Sequence, residues 1–210
     1  MALQPRARAA APRITALHAR PRGRVEIELD GARWQTMPAE VVLAAGLGVG
    51  AELDRARART LNRERRRHEA MTRAARALGW RDLSKQELDD RLARSRVAPA
   101  DRSEAVDRLT RAGAIDDGRF AAKRAELLAD RGAGDELIRH DLIGRGIEKG
   151  LVEEAVGGLE PEQVRASRVV EQRGASVKTA RHLARKGFSR DAIEAACADA
   201  IAEDTPPAVR

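Results

Sequence analysis

Cysteine occurs once in this chain, at position 197, so no internal disulfide can staple the fold. That usage suits a reducing compartment, and the expected location is the cytoplasm. No apolar run approaches the roughly 20 residues that a membrane-spanning helix needs. The opening stretch MALQPRARAAAPR is basic and lacks the apolar core of a signal peptide, so residues 1–12 read as a disordered basic arm. Tyrosine is absent, and Trp34, Trp80, Phe120 and Phe188 are the whole aromatic complement. Sequence-tolerant binding of single strands draws on aromatic stacking platforms. Contact with nucleic acid therefore has to fall mostly on phosphates. Lysine is scarce as well: Lys85, Lys123, Lys149, Lys178 and Lys186 stand among 40 basic residues, and arginine carries the rest.

What is present is charge, unevenly spread. The formal net charge is +7 over 210 residues, a length for one domain or two small ones. Residues 1–82 hold 17 Lys/Arg against 9 Asp/Glu, whereas residues 83–210 hold 23 against 24. A positive field confined to the N-terminal part favours a polyanionic partner or an acidic surface there, and says nothing about fold.

Short strands are expected at ITALHA (14–19), RVEIEL (24–29) and RWQTM (33–37). The clearest alternation sets Val25, Ile27 and Leu29 against Arg24, Glu26 and Glu28, and Asp30-Gly31 suits a hairpin turn. Pro38 starts a short helix that Gly46 ends. GLGVG (46–50) lacks the full dinucleotide-loop spacing and follows a helix, so it does not read as a nucleotide site. From Ala51 to Gly79 the pattern is helical and arginine-rich. Arg55, Arg59, Arg63, Arg66 and Arg67 fall at helical spacings and form a candidate basic stripe for phosphate contacts, with a solvated connecting helix as the alternative.

A repeat fills the remainder. Ala75-x-x-Leu78, Ala125-x-x-Leu128 and Ala166-x-x-Val169 are offset by 50 and then 41, as are Leu92, Leu142 and Leu183, and Val97, Ile147 and Phe188. Each unit reads as three helices: first, tight turn, second, glycine turn, third. Gly146 and Gly187 suit the left-handed position that closes a helix, whereas the first unit has LARSRV and no glycine. Pairing Val106 with Val152 and Ile193 predicts four extra residues, Pro99 among them, between the second and third helices of the first unit. Ser84-x-x-Glu87 is a capping box, and Ser176 and Ser189 are candidate N-caps.

The carboxylate pair in AIDDGRFA (114–121) raises the question of a metal centre. Asp116 and Asp117 fall between two helices, where either would cap the second, with Phe120 facing the core. No histidine or third acid lies nearby in sequence, so a capping role is expected and no metal or cofactor. His18, His68, His140 and His182 show no ligand spacing, and Cys197 falls in an apolar helical set with Ile193 and Ile201.

SKQELDDRL (84–92), AVDRLTRAGAIDDGRFA (105–121), LIGRGI (142–147) and LARKGFSRDAI (183–193) together resemble the RecX family, bacterial regulators of the RecA recombinase. The resemblance covers roughly residues 68–203. The strands with GLGVGAEL (46–53) look like an extra segment that some members carry. The resemblance implies a monomeric, non-enzymatic modulator in DNA repair, homologous recombination and the SOS response. Such a modulator binds the RecA–DNA filament in its groove and inhibits strand exchange and ATP hydrolysis. The expected fold is mainly α: three tandem three-helix repeats in an elongated array, after a small β-hairpin-containing segment and a long basic helix. The expected layout is the arm (1–12), the β-containing segment (13–50), the basic helix running into repeat 1 (51–117), repeat 2 (118–160), repeat 3 (161–203) and a disordered tail (204–210). One rival reading is a helix-turn-helix-like DNA-binding regulator, for which Arg181, Arg185, Lys186 and Arg190 make the last repeat locally basic. The other is a metal-dependent nuclease built on Asp116 and Asp117.

Overall fold

A computed structural model describes residues 11–203, with side chains described through Ala198. The expected arm, apart from its last two residues, the tail and the side chain of Ile201 lie outside the described residues. Three strands come first, β1 (Ile14–Arg20), β2 (Arg24–Leu29) and β3 (Ala32–Pro38), paired as an antiparallel meander. Asp30 and Gly31 both have positive φ (50° and 81°), as the two-residue turn between twisted strands requires. Helix α1 (Ala39–Ala44) follows directly after Pro38. Ile14, Ile27, Met37, Val41, Val42, Leu47 and Leu61 form one buried cluster over the sheet. The segment after α1 returns to β1: Ile14 N donates to the Ala51 carbonyl at 2.9 Å, and Gly50 N donates to the Ile14 carbonyl at 2.8 Å. GLGVG thus ends in backbone pairing along a strand edge.

The strict alternation expected of β2 fails at Glu26, which is buried beside Ile27. Arg20 and Arg33, on the flanking strands, reach its carboxylate at 2.7 and 2.8 Å. The hydrogen bond from Arg20 is the main reason its pKa lies below the ordinary carboxylate value.

Nine further helices follow among the described residues. The first triplet is α2 (Arg55–Leu78), α3 (Lys85–Arg94) and α4 (Pro99–Arg111). The second is α5 (Asp117–Asp130), α6 (Asp135–Gly144) and α7 (Lys149–Gly157). The third is α8 (Glu162–Arg173), α9 (Val177–Arg185) and α10 (Arg190–Glu203). The fold is mainly helical with one small antiparallel sheet. The chain divides into two compact units, one of residues up to 75 with 97–105, the other of 76–96 with 106 onward.

The predicted insertion in the first repeat is not there. The loops between second and third helices span 95–98, 145–148 and 186–189, four residues each. Pro99 is the first residue of α4, where its missing N–H leaves no hydrogen bond unmade. The offsets of 50 and 41 therefore run on through the third helix, which aligns Val106 with Val156 and Cys197. The difference in length is carried by the helix itself, 13 residues in α4 against 9 in α7.

Of the three apolar sets common to the repeats two are interior, whereas in the set of Ala75, Ala125 and Ala166 the first member is exposed and only the other two are buried. Leu92, Leu142 and Leu183 are buried, as are Val97, Ile147 and Phe188. Phe120, Ile138, Leu142, Ile147 and Val152 belong to the core of the second repeat, and Leu183, Phe188, Ala192 and Cys197 to that of the third. Burial also pushes the Cys197 thiol up.

Candidate functional site

The Asp116-Asp117 pair caps two helices. Asp116 is the N-cap of α5, its carboxylate accepting from Arg119 N at 2.9 Å. That backbone bond is the main reason its pKa lies below the ordinary value. Asp117 turns to the preceding repeat and accepts from Lys85 N, the first amide of α3, at 2.9 Å. Glu162 does the same one repeat on. It is the first residue of α8, and it accepts from Asp135 N, the first amide of α6, at 2.7 Å and from Ser189 N at 3.2 Å. Each carboxylate meets free amides at the positive end of a helix dipole. Among the described residues, no cluster of three metal-ligating side chains accompanies the pair.

The glycine turns complete these junctions. Gly146 and Gly187 take φ of 74° and 79°. A Cβ on Gly146 would lie 1.8 Å from the Gln86 side chain on α3, and one on Gly187 would lie 2.5 Å from Leu137 N on α6. In the first repeat, which has no repeat before it, the same left-handed position is held by Arg96, φ 58°. The opposite wall is equally tight. Gly134 precedes α6 at an ordinary φ of −81°, yet its Cβ would lie 2.2 Å from Phe188 N. Gly134 N donates to the Lys186 carbonyl at 2.8 Å, and Glu136 N to that of Gly187 at 3.0 Å. At the earlier junction Ser84, N-cap of α3, donates its Oγ to the Arg145 carbonyl at 2.7 Å. Backbone thus meets backbone, or a cap side chain, at both junctions.

Charge that is partly or fully buried surrounds these junctions. At the first, Arg124 makes two bonds to the Asp141 carboxylate, 2.8 and 2.9 Å, and Arg145 joins it at 2.7 Å. Arg124 above all, and then Arg145, hold the Asp141 carboxyl well below the usual range. Arg145 also reaches Glu87 at 2.5 Å, and Arg81 approaches Glu87 at 3.5 Å. At the second junction Arg165 is buried, donating to the carbonyls of Ala133 (2.8 Å) and Glu160 (3.0 Å) and pairing with Asp135. Its guanidinium lies 5.9 Å from the centre of the Phe188 ring.

The arginines expected to form one stripe on α2 divide. Arg55 and Arg59 are exposed and carry no ion pair among the described residues. Arg63 pairs with Glu64 at 3.2 Å. Arg66 reaches Asp101 at 3.3 Å, and Arg67 reaches Glu64 at 3.1 Å and Glu104 at 2.6 Å. Carboxylates of α2 itself and of the first turns of α4 therefore neutralise three of the five. On α9, Arg181 and Arg185 are exposed. Lys186 caps its C-terminal end and donates to the Arg131 carbonyl at 3.3 Å.

Lys186 also lines a cavity of about 570 Å³ between the second and third repeats, with Arg131, Arg168, Arg173, His182 and Phe188. Partial burial, then Arg173, Lys186 and Arg185 in turn, hold the His182 imidazole below its ordinary pKa. Spacing along the chain gives no sign of this cluster, because its members come from α8, α9 and the turns that follow α5 and α9. Of the four aromatic side chains, Phe120 and Phe188 are interior, whereas Trp80 is 85 % exposed.

No family model matches the chain. It is similar to regulatory protein RecX of Halorhodospira halophila, 32 % identical over 141 residues that span 62 % of this chain and 88 % of that protein. It is also similar to regulatory protein RecX of Chromohalobacter salexigens, 34 % identical over 60 % of this chain and 90 % of the relative. Among solved structures, a regulatory protein RecX shares the fold with a TM-score of 0.78 at 20 % identity, over 90 % of this chain and 99 % of that one. RecX from Lactobacillus salivarius matches with a TM-score of 0.56 at 19 % identity, over 64 % of this chain and 96 % of that one.

Proposed function

The chain belongs to the RecX family, and from that membership we propose that it regulates the RecA recombinase by binding its filament on DNA. Binding inhibits strand exchange and ATP hydrolysis, and the chain performs no chemistry of its own. The observation that carries this reading is the stacking of the repeats through tight junctions. Units locked backbone to backbone present a surface with its own period, which suits a partner that itself repeats. Arg55 and Arg59, exposed and unpaired among the described residues, supply phosphate contacts to the DNA that the filament holds. The acids at 116 and 117 are engaged in helix capping, which favours a structural role over a nucleolytic one. The glycine turns of the second and third repeats are taken up by the junctions, which favours stacked repeats over the helix-turn-helix alternative.

The test is co-sedimentation with RecA filaments assembled on single-stranded DNA, beside bare duplex and bare single strands, with ATP hydrolysis followed in parallel. Retention on filaments with a fall in hydrolysis is expected. Retention on duplex alone, or magnesium-dependent cleavage of any of the DNAs, would overturn the proposal in favour of one of its rivals.

A further inference from the structure

The two repeat junctions are built from equivalent positions, which allows them to be compared group by group. The offset of 50 relates Arg81 to Arg131 and Glu87 to Leu137. The offset of 41 relates Arg124 to Arg165, Asp141 to His182 and Arg145 to Lys186. The cations persist at all three basic positions, whereas both acids are replaced, one by leucine and one by histidine.

At the first junction those acids neutralise every cation. Asp141 takes Arg124 and Arg145, and Glu87 takes Arg145 and Arg81. At the second, Arg165 finds a different partner in Asp135. Arg131 and Lys186 carry no ion pair among the described residues, and neither does Arg173, which joins them on the cavity wall. Arg168, on the same wall, is met by Glu160 at 3.0 Å. The place where one junction holds two carboxylates is, at the other, part of a cavity of about 570 Å³ whose wall carries the unpaired Arg131, Arg173 and Lys186, together with Asp130 and with Glu160, which Arg168 engages. Helix C-termini contribute alike to both junctions, so their partial negative charge does not explain the difference.

We propose that this cavity between the second and third repeats is a binding site for a phosphate group, which takes the place of the two carboxylates that the first junction supplies from within. A phosphate carries up to two charges and several acceptor oxygens on one centre, so a single group can replace a pair of carboxylates. Arginine and lysine are the side chains that bind it, through charge-assisted hydrogen bonds. Arg131, Arg173 and Lys186 are the primary ligands, and His182 faces the anion from α9. The cavity volume lies within the range of small-molecule sites, about 300–1,000 Å³. The phosphate comes either from a free nucleotide or pyrophosphate, or from a nucleic-acid backbone. The site does not rest on the recombinase reading above, because it follows from the comparison of the junctions alone.

The test uses the full-length protein. Inorganic pyrophosphate is titrated by calorimetry, and a fluorescein-labelled oligothymidylate by anisotropy at low salt. His182→Asp restores the carboxylate of position 141, whereas His182→Asn changes the ring without adding charge. Restoring the acid should weaken pyrophosphate binding at least about tenfold, the worth of a charge-assisted hydrogen bond, and Lys186→Ala should do the same. His182→Asn should lose less affinity for pyrophosphate than His182→Asp, and Arg94→Ala, on the exposed side of α3, should bind it as the unaltered protein does. The thermal midpoint of His182→Asp should match or exceed that of the unaltered protein, which separates lost binding from lost folding. A parallel loss of oligonucleotide binding assigns the phosphate to nucleic acid, and unchanged oligonucleotide binding assigns it to a free phosphate compound. Equal pyrophosphate affinity in the unaltered, His182→Asp and Lys186→Ala proteins would overturn the site. A glutamate-rich peptide that displaces pyrophosphate at lower concentration than a nucleotide does would overturn the phosphate assignment.

Discussion

Replacing Gly134 with alanine should be among the most damaging single-methyl changes in the chain, although its backbone conformation is one that any residue adopts. The added carbon would lie 2.2 Å from Phe188 N and 2.3 Å from the Gly187 carbonyl. Ordinary contact would require the third repeat to withdraw by more than an ångström, roughly what separates these distances from the 3.5–4.0 Å optimum. Withdrawal breaks the bonds from Gly134 N to Lys186 and from Glu136 N to Gly187. Two backbone hydrogen bonds are worth about 1 kcal/mol each, and overpacking adds about 1–3 kcal/mol. The expected loss is therefore about 3–5 kcal/mol, a large share of the roughly 5–15 kcal/mol that holds a domain together. Gly132→Ala is the matched control: φ there is +74° and nothing lies within 4 Å, so only left-handed strain of about 1–2 kcal/mol applies. Urea unfolding followed by circular dichroism at 222 nm compares the two. On backbone angles alone Gly132 is the more demanding position, so a Gly132→Ala loss equal to or above that of Gly134→Ala would refute the reasoning.

Asp117→Ala removes the acceptor for the first amide of α3 and should lower stability by about 1 kcal/mol; an Asp117→Asn variant that folds normally but loses all function would defeat the capping account. Phe188→Ala should lose about 3–5 kcal/mol in the same unfolding assay, and an unchanged melting temperature with impaired partner binding would move Phe188 to the interaction surface. The carboxyl of Asp141 has its pKa depressed in the folded state, so its contribution is present above the unfolded value of about 3.9 and is lost as pH falls through the folded one. The stability gap between the unaltered protein and Asp141→Asn should accordingly be widest near neutrality and shrink in acid; a gap that widens below pH 4 would contradict the ion-pair assignment. Reversing Arg55 and Arg59 together should flatten the dependence of log affinity for DNA on log salt by about 0.7–0.9 for each phosphate no longer neutralised, as read by anisotropy over a salt series.

The sequence makes the secondary structure largely legible, because local rules govern it. Alternation and an Asp-Gly turn mark the strands, serines and aspartates mark helix starts, and the repeated leucines lie where helices stack. Long-range approach is harder to read. Gly134 has an ordinary φ, so nothing local marks it; its glycine is required by a carbonyl more than fifty positions away. Pro99 reads as an insertion when one helical turn is aligned out of phase, since Val152 and Val156 are both apolar and both buried. Glu26 breaks a regular alternation because two arginines on other strands reach it, and strand pairing had to be known first. The arginines of α2 look alike in sequence, and Glu64 on α2 with Asp101 and Glu104 on α4 separates those that are paired from those that are not. The basic cavity becomes legible only after the repeats are aligned through correct loop lengths, when His182 falls opposite Asp141.

The carboxylates that cap a second helix across the junctions both come from the later repeat. The first amide of α3 is met by Asp117, 32 positions further on, and that of α6 by Glu162, 27 positions further on. A chain made on the ribosome emerges from its N-terminus and folds as it appears. The first two repeats are therefore exposed for a time with the first amide of the second helix unmet, and each is completed only when the start of the next one follows. Stability accrues one unit behind synthesis, and a chain halted before position 162 keeps an open end at α6 however well its own core has packed.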